Sequence, residues 1–330
     1  MRPGEAGRFL VGEGNPSSEA DVRSVLHGTS RSKVIGYDLI ISAARPISSL
    51  LAVGTVEEQR SLVALHQAAV ADVMRYLEDR ALVITSLAEG VRHEEPSRFS
   101  RVVAFTHGIN RAGDPHLHDH VLFGSADREQ GRAIDRRSLL GHLETADALY
   151  HAQLREGLTR LGRLAWRDFQ GRDHVEGIDA GTLALWPAHR DRSMPKVAWT
   201  RSEAVNHWSR RLHHRLDVPT PTPPPVTTSI SEHSFAAHFE GRHSIGRRHL
   251  VQAFANAAAF GVAVPEVEQL VSFYYPELAD QRGVGEKTIT QHAARQLERI
   301  RVFGARPVSY ELAQQWSQRA RERDTSSRTR

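Results

Sequence analysis

From Val34 the chain reads VIGYDLIISAARPISSLLAVG, whose first half is β-branched and alternates between apolar and polar positions, the period of a buried strand. Glu57 to Asp79 then places Leu62, Leu65, Ala69, Val73 and Leu77 at helical spacing, which predicts one long amphipathic helix. Arg101 to Thr106 (RVVAFT) and Leu117 to Phe123 (LHDHVLF) read as two strands joined by a Gly/Pro/Asn loop, an antiparallel pair. Asp135 to Leu161 follows as mostly helix.

Punctuation divides the rest. Residues 1 to about 33 carry only short apolar clusters and read as an irregular lead-in with one short helix, Glu19 to His27. Pro219, Pro221, Pro223, Pro224 and Pro225 fall within a stretch that sustains neither helix nor sheet ladder. Beyond it, Ile245 to Phe260 ends at Gly261, Pro265 opens Glu266 to Tyr275, and Glu286 to Val302 ends near Gly304, so this part reads as all-helical. The expected division is a first domain over 1–217, a linker over 218–229, a helical domain over 230–322 and a disordered tail over 323–330.

Composition adds limits. Cysteine is absent, which removes disulfides, thiolate metal sites and cysteine nucleophiles. No apolar run reaches the roughly 18 residues of a membrane span, and the start lacks a signal peptide's apolar core, so no membrane insertion and a cytoplasmic location are expected. The formal charge is only +4, but Lys+Arg is 43 and almost all of it is arginine, whose planar fork suits an anionic polymer. The segment GVGEKT, Gly283 to Thr288, lacks the order of a phosphate loop and implies no ATPase.

The chemistry concentrates between Ala104 and Gly124, where His107, His116, His118 and His120 crowd together. Side chains alternate across a strand, so His116, His118 and His120 share one face, and a hairpin brings His107 beside the last two. Three neutral imidazoles with open coordination positions suit a catalytic divalent metal, here magnesium, manganese, zinc or nickel, and nitrogen ligands favour the last three.

The run His107, Arg111, Asp114-Pro115, Leu117-His118 and His120 resembles the motif of the MobF-class conjugative relaxases (TrwC/TraI type) in the HUH nuclease group. Gly36 to Ala52 resembles the family's strand and Ser-Ala-Pro-Lys-Ser-type turn, from which Ala44, Arg45 and Pro46 depart. His66, Ile134-Asp135 and Ala148 to Gly162 also resemble family landmarks. The resemblance implies an α+β fold, an antiparallel-sheet HUH-type palm flanked by helices and followed by a small all-helical domain. It implies single-stranded or hairpin origin DNA and other conjugation proteins as partners. It makes His107, His118 and His120 the metal ligands, Arg111 a motif residue, and Asp38 the carboxylate that orients a histidine or takes up a proton.

In that family an N-terminal tyrosine attacks the DNA phosphate. Nothing before Tyr37 is a tyrosine, so the chain is expected to begin downstream of the nucleophile and to form no covalent adduct. Tyr37 adjoins Asp38 on a strand and is expected to face away from the metal, while Tyr274 and Tyr275 read as core. Two further readings stand beside nicking: a DNA-binding accessory or repressor that keeps the metal site, and a cupin-like metal enzyme, against which Val121 to Ala126 offers no glutamate. Arg247 and Arg248 are candidate DNA contacts. Trp166, Trp186, Trp199 and Trp208 are candidates for stacking on unpaired bases, and for most of them packing in the core or against the linker is expected instead.

Overall fold

The computed structural model describes residues 9–13, 34–99, 102–126, 132–186, 197, 199–213, 232–283 and 289–290. The chain runs through β1 (Phe9–Glu13), β2 (Gly36–Ser42), α1 (Arg45–Val53), α2 (Val56–Arg80), a ribbon of β3 (Val83–Ala88) and β4 (Val91–Pro96), then β5 (Val102–Ile109) and β6 (Pro115–Gly124). It continues through α3 (Arg136–Gly141), α4 (Leu143–Arg160), a hairpin of β7 (Ala165–Arg167) and β8 (Asp173–Val175), α5 (Ala180–Ala184) and α6 (Arg201–Leu212). After α7 (Glu232–Ala237) come β9 (Ser244–Ile245), α8 (Arg247–Ala257), α9 (Val264–Tyr274) and β10 (Ile289–Thr290).

The fold is α+β. Four strands form the main sheet in the order β1-β5-β6-β2, with β5, β6 and β2 antiparallel and β1 parallel to β5. β6 shows why the sheet has one covered face: Leu117, Asp119, Val121 and Phe123 point inward and are buried, while His116, His118, His120 and Leu122 between them are partly exposed. The helices α2 and α4 cover the inward face. α2 begins at a capping box, in which Thr55 Oγ1 accepts from Glu58 N at 3.2 Å and Glu58 Oε2 accepts from Thr55 N at 2.8 Å. Its Leu62, His66, Ala69, Val73 and Leu77 then lie on the core side, and α4 approaches so closely that a β-carbon on Gly157 would meet Leu65 at 2.7 Å.

The helices beyond the proline-rich stretch share this core. Phe254, Val267 and Val271 belong to the same cluster of buried side chains as Leu62 and Leu149. The turn between α8 and α9 presses on α4, where Gly261 has φ +89° and a β-carbon would meet the Ala152 carbonyl oxygen at 2.1 Å. Arg155, fully buried in α4, donates to Asp173 and to the carbonyls of Ala255 and Ala258, tying α4, the β7–β8 hairpin and α8 together.

Several parts depart from the sequence expectation, among them the β3–β4 ribbon, which occupies a stretch given no strands. Phe9–Glu13 is a strand within the segment expected to be irregular, because its backbone completes a ladder with β5 from Phe9↔Val102 to Glu13↔Thr106. The β7–β8 hairpin interrupts a region given no strands; its pieces of three residues are too short to show a period. Ile289 and Thr290, expected within a helix, pair with Ile245 and Ser244 instead, as their β-branched side chains favour. The short helix at Glu19 to His27, the proline-rich linker, most of the last helix and the tail lie outside the described residues.

Candidate metal centre

The register of β5 on β6 builds the site. His107 is the direct cross-strand partner of His118, and Phe105 that of His120, so the three histidines project from one face. Their ring centroids stand 5.1 Å (His107 to His118), 5.4 Å (His107 to His120) and 5.4 Å (His118 to His120) apart. One ring nitrogen from each lies within 4.8 Å of the others, so a single ion fits among them. His116 shares the strand face but stands beyond this group, its ring 4.6 Å from that of His118.

Hydrogen bonds select the nitrogens. His118 Nδ1 donates to the His116 carbonyl at 2.9 Å, and His120 Nδ1 donates to Asp38 at 2.9 Å and 3.0 Å. In both rings this tautomer leaves the Nε2 lone pair free for an ion, the arrangement that metal-ligating histidines generally use. Burial pulls the His118 pKa down to about 3; its bond to the His116 carbonyl works the other way, but the neighbouring His116, His107 and His120 add to the lowering. The ring is therefore neutral, as ligation requires. Beside the histidines, Val103, Phe105 and Leu122 pack into a small apolar floor.

The loop into β6 is clamped from the far side. Asn110 Oδ1 accepts from Ala112 N at 2.9 Å and Asp114 N at 3.0 Å, and Gly113 turns the chain with φ +84°. Trp208 Nε1 donates to the Gly113 carbonyl at 2.7 Å, Arg211 pairs with buried Asp114 at 2.9 Å, and Trp199 lies against Gly113. Arg111 stands exposed in this loop, its carbonyl accepting from Val197 N.

Beneath the sheet lies a group that sequence reasoning missed. Asp119, between two of the histidines but on the opposite face, bonds His66 Nε2 at 2.8 Å, and His66 Nδ1 meets the Tyr150 hydroxyl at 2.6 Å. All three side chains are fully buried. The signal was present in the alternation of β6, where Asp119 occupies an inward position otherwise held by apolar residues.

The other sequence candidates stand elsewhere. Tyr37 packs on Phe123 at 5.5 Å, on the face opposite Asp38, and Tyr274 and Tyr275 are buried at 5% and 1% exposure. Tyr76 and Tyr150 are buried as well, and Tyr310 lies outside the described residues. Arg247, a candidate DNA contact or otherwise part of a solvated helix face, turns inward instead. It is 3% exposed, with Nη2 donating to Glu268 Oε2 at 2.7 Å and to Ser272 Oγ at 3.2 Å, because the N-terminus of α8 abuts α9. Arg248 is half-buried and its Nε meets His249 Nε2 at 3.3 Å. Trp166, Trp186 and Trp208 are buried, whereas Trp199 is partly exposed.

The sequence model of the TrwC relaxase family matches residues 7–211. The chain belongs to the TrwC relaxase family. Similar solved structures include the conjugative relaxase TrwC in complex with oriT DNA in a metal-free form, at 20% identity over 56% of this chain and 74% of that one, with a TM-score of 0.47. A copper-bound complex of TrwC with oriT DNA matches at 18% identity over 61% of this chain and 82% of that one, TM-score 0.49. TrwC with a 27-mer DNA comprising the recognition hairpin and the cleavage site matches at 19% identity over 62% and 80%, TM-score 0.47. None of the curated proteins compared with the chain matches it. Membership of this family sets aside the cupin-like reading. Among the described residues no helix is long and apolar enough to cross a membrane.

Proposed function

We propose that the chain is a MobF-type relaxase module that holds one divalent ion through His107, His118 and His120 and binds single-stranded or hairpin origin DNA in conjugative plasmid mobilisation. The observation that carries this reading is the convergence of three imidazoles, two with Nδ1 already committed to an acceptor, within the span matched by the family. An all-nitrogen set without thiolate suits manganese, zinc or nickel better than magnesium. When bound, the ion would polarise a phosphodiester oxygen.

The chain's own residues contribute the geometry. Asp38 fixes the tautomer and plane of His120, the His116 carbonyl does the same for His118, and the apolar floor of Val103, Phe105 and Leu122 limits water at one side of the site. The arginine-rich composition supports phosphate neutralisation along the strand.

Cleavage by strand transfer needs a tyrosine oxygen in line with the phosphorus at about 3.5 Å. Every described tyrosine is turned into the core or away from the histidines. That orientation favours a second reading, a DNA-binding accessory or repressor that retains the metal centre. Fluorescence anisotropy with a labelled hairpin oligonucleotide, with divalent metal and with chelator, followed by denaturing gels, tests both. Binding that falls steeply with salt is expected, and no binding would overturn the DNA reading. A covalent protein-DNA band from this chain would decide for cleavage over the accessory role.

A further inference from the structure

The inward side of β6 is the place to look, because it spends a fully buried carboxylate where a hydrocarbon would serve. Leu117, Val121 and Phe123 fill the other inward positions and are 0%, 0% and 1% exposed, yet Asp119 between them is also 0% exposed. Burying a polar group without full compensation is costly, and Asp119 is only partly compensated: Oδ1 bonds His66, whereas Oδ2 is buried and has no hydrogen-bond partner among the described residues. An apolar side chain at 119 would avoid that cost.

The tie ends on two rigid supports. His66 belongs to the 25-residue helix α2 and Tyr150 to the 18-residue helix α4. The Tyr150 hydroxyl lies 2.6 Å from His66 Nδ1, and His66 Nε2 donates to Asp119 at 2.8 Å, a continuous chain of hydrogen bonds. Two residues earlier, on the same side of the strand, Leu117 is held through its backbone, its N–H donating to Ser48 Oγ at 3.1 Å and its carbonyl accepting from Ala43 N at 2.8 Å. The strand is thus fastened at 117 and at 119.

The torsions of residue 119 set the directions of the Cα–Cβ bonds of 118 and 120, which leave the opposite face. Building on the metal-centre reading above, we propose that Asp119, anchored by His66 and Tyr150, is a positioning residue that fixes the pitch of β6 so that His118 and His120 converge on His107 before any ion arrives. The two ligands are then held from both sides, by Asp38 and the His116 carbonyl on the open face and by Asp119 from beneath.

Calorimetric titration with manganese and with zinc, on wild type, Asp119→Ala, Tyr150→Phe and the control Val70→Ala, tests this. Val70 is buried in α2 outside the chain of hydrogen bonds, so its truncation reports loss of core packing alone. Wild type that binds neither ion would overturn the metal-centre reading itself. With wild type binding, the expected result is affinity weakened about tenfold or more in Asp119→Ala and by a smaller factor in Tyr150→Phe, with Val70→Ala unchanged. Should Asp119→Ala not fold, Tyr150→Phe, which keeps the ring, decides alone. Unchanged affinity in every folded variant of the chain, or an equal loss in Val70→Ala at matched thermal stability, would overturn the positioning role. A second readout uses the metal-free protein: nitrogen-15 spectra of the imidazoles should show one tautomer each for His118 and His120 in wild type and mixed tautomers in Tyr150→Phe, and unchanged spectra would count against the proposal.

Discussion

Asp38 and His120 are diagonal rather than direct cross-strand partners: β2 places Ile40 opposite His120 and Asp38 opposite Leu122, and the carboxylate reaches along the sheet to Nδ1 at 2.9 Å. Removing it frees the ring to rotate and to exchange tautomers. Asp38→Ala is expected to lower metal affinity about tenfold or more, measured by calorimetry, with little change in melting temperature because Asp38 is exposed. Unaltered affinity would show that His120 needs no orienting partner.

Gly113 supports a sharper prediction. A β-carbon there would sit 2.2 Å from the Trp199 ring, and the residue has φ +84°. Gly113→Ala is expected to destabilise the protein by about 2–4 kcal/mol, combining overpacking with left-handed backbone strain. Adding Trp199→Ala should recover the steric share and leave about 1 kcal/mol of backbone cost. Thermal melts of the two variants read the difference, and additive losses would refute the close contact.

The Arg155–Asp173 pair predicts an acid response. Burial alone would raise the Asp173 pKa, but Arg155, His151 and Arg167 outweigh burial and hold it well below the usual 3.8. A depressed folded pKa means stability that is complete above the unfolded value and lost as pH falls through the folded one. Unfolding midpoints measured from pH 5 downward should therefore drop below about pH 4, and Asp173→Asn should flatten that drop. Arg155→Met at neutral pH leaves a buried carboxylate short of its main partner and should cost about 3–5 kcal/mol.

Tyr37 offers a negative prediction with content. Its ring packs on Phe123 and its pKa is raised, chiefly by burial, so the hydroxyl is poorly suited to attack a phosphate. Tyr37→Phe is expected to leave metal affinity and DNA binding unchanged within twofold, since the ring and its packing remain. A drop of tenfold or more in either would place Tyr37 in the site.

What the sequence disclosed followed from its periods. The two-residue alternation in β2 and β6 fixed which side chains share a face, and with the hairpin it brought His107, His118 and His120 together. Longer helices were equally legible, since Leu62 to Leu77 repeats over a span that no strand would occupy. What escaped were the roles that depend on partners distant in sequence, including that of His66, which stood only as a landmark. His66 and Asp119 are 53 positions apart, and Arg155 bonds carbonyls 100 and 103 positions away. Arg247 misled for the same reason: a basic run looks solvated until Glu268 is placed beside it. The three-residue strands β7 and β8 carry too few positions for any pattern to show.

The strand order gives the site an uneven dynamic character. β5 and β6 lie inside the sheet, hydrogen-bonded on both sides, whereas β2 is an outer strand among the described residues. Outer strands open with lower free energy than inner ones, so amides of β2 should exchange hydrogen sooner than those of β5 and β6. Asp38 would leave with β2 while His107, His118 and His120 stayed in place on the slower strands. Fraying at one edge would thus loosen the hold on His120 without dismantling the three-histidine group.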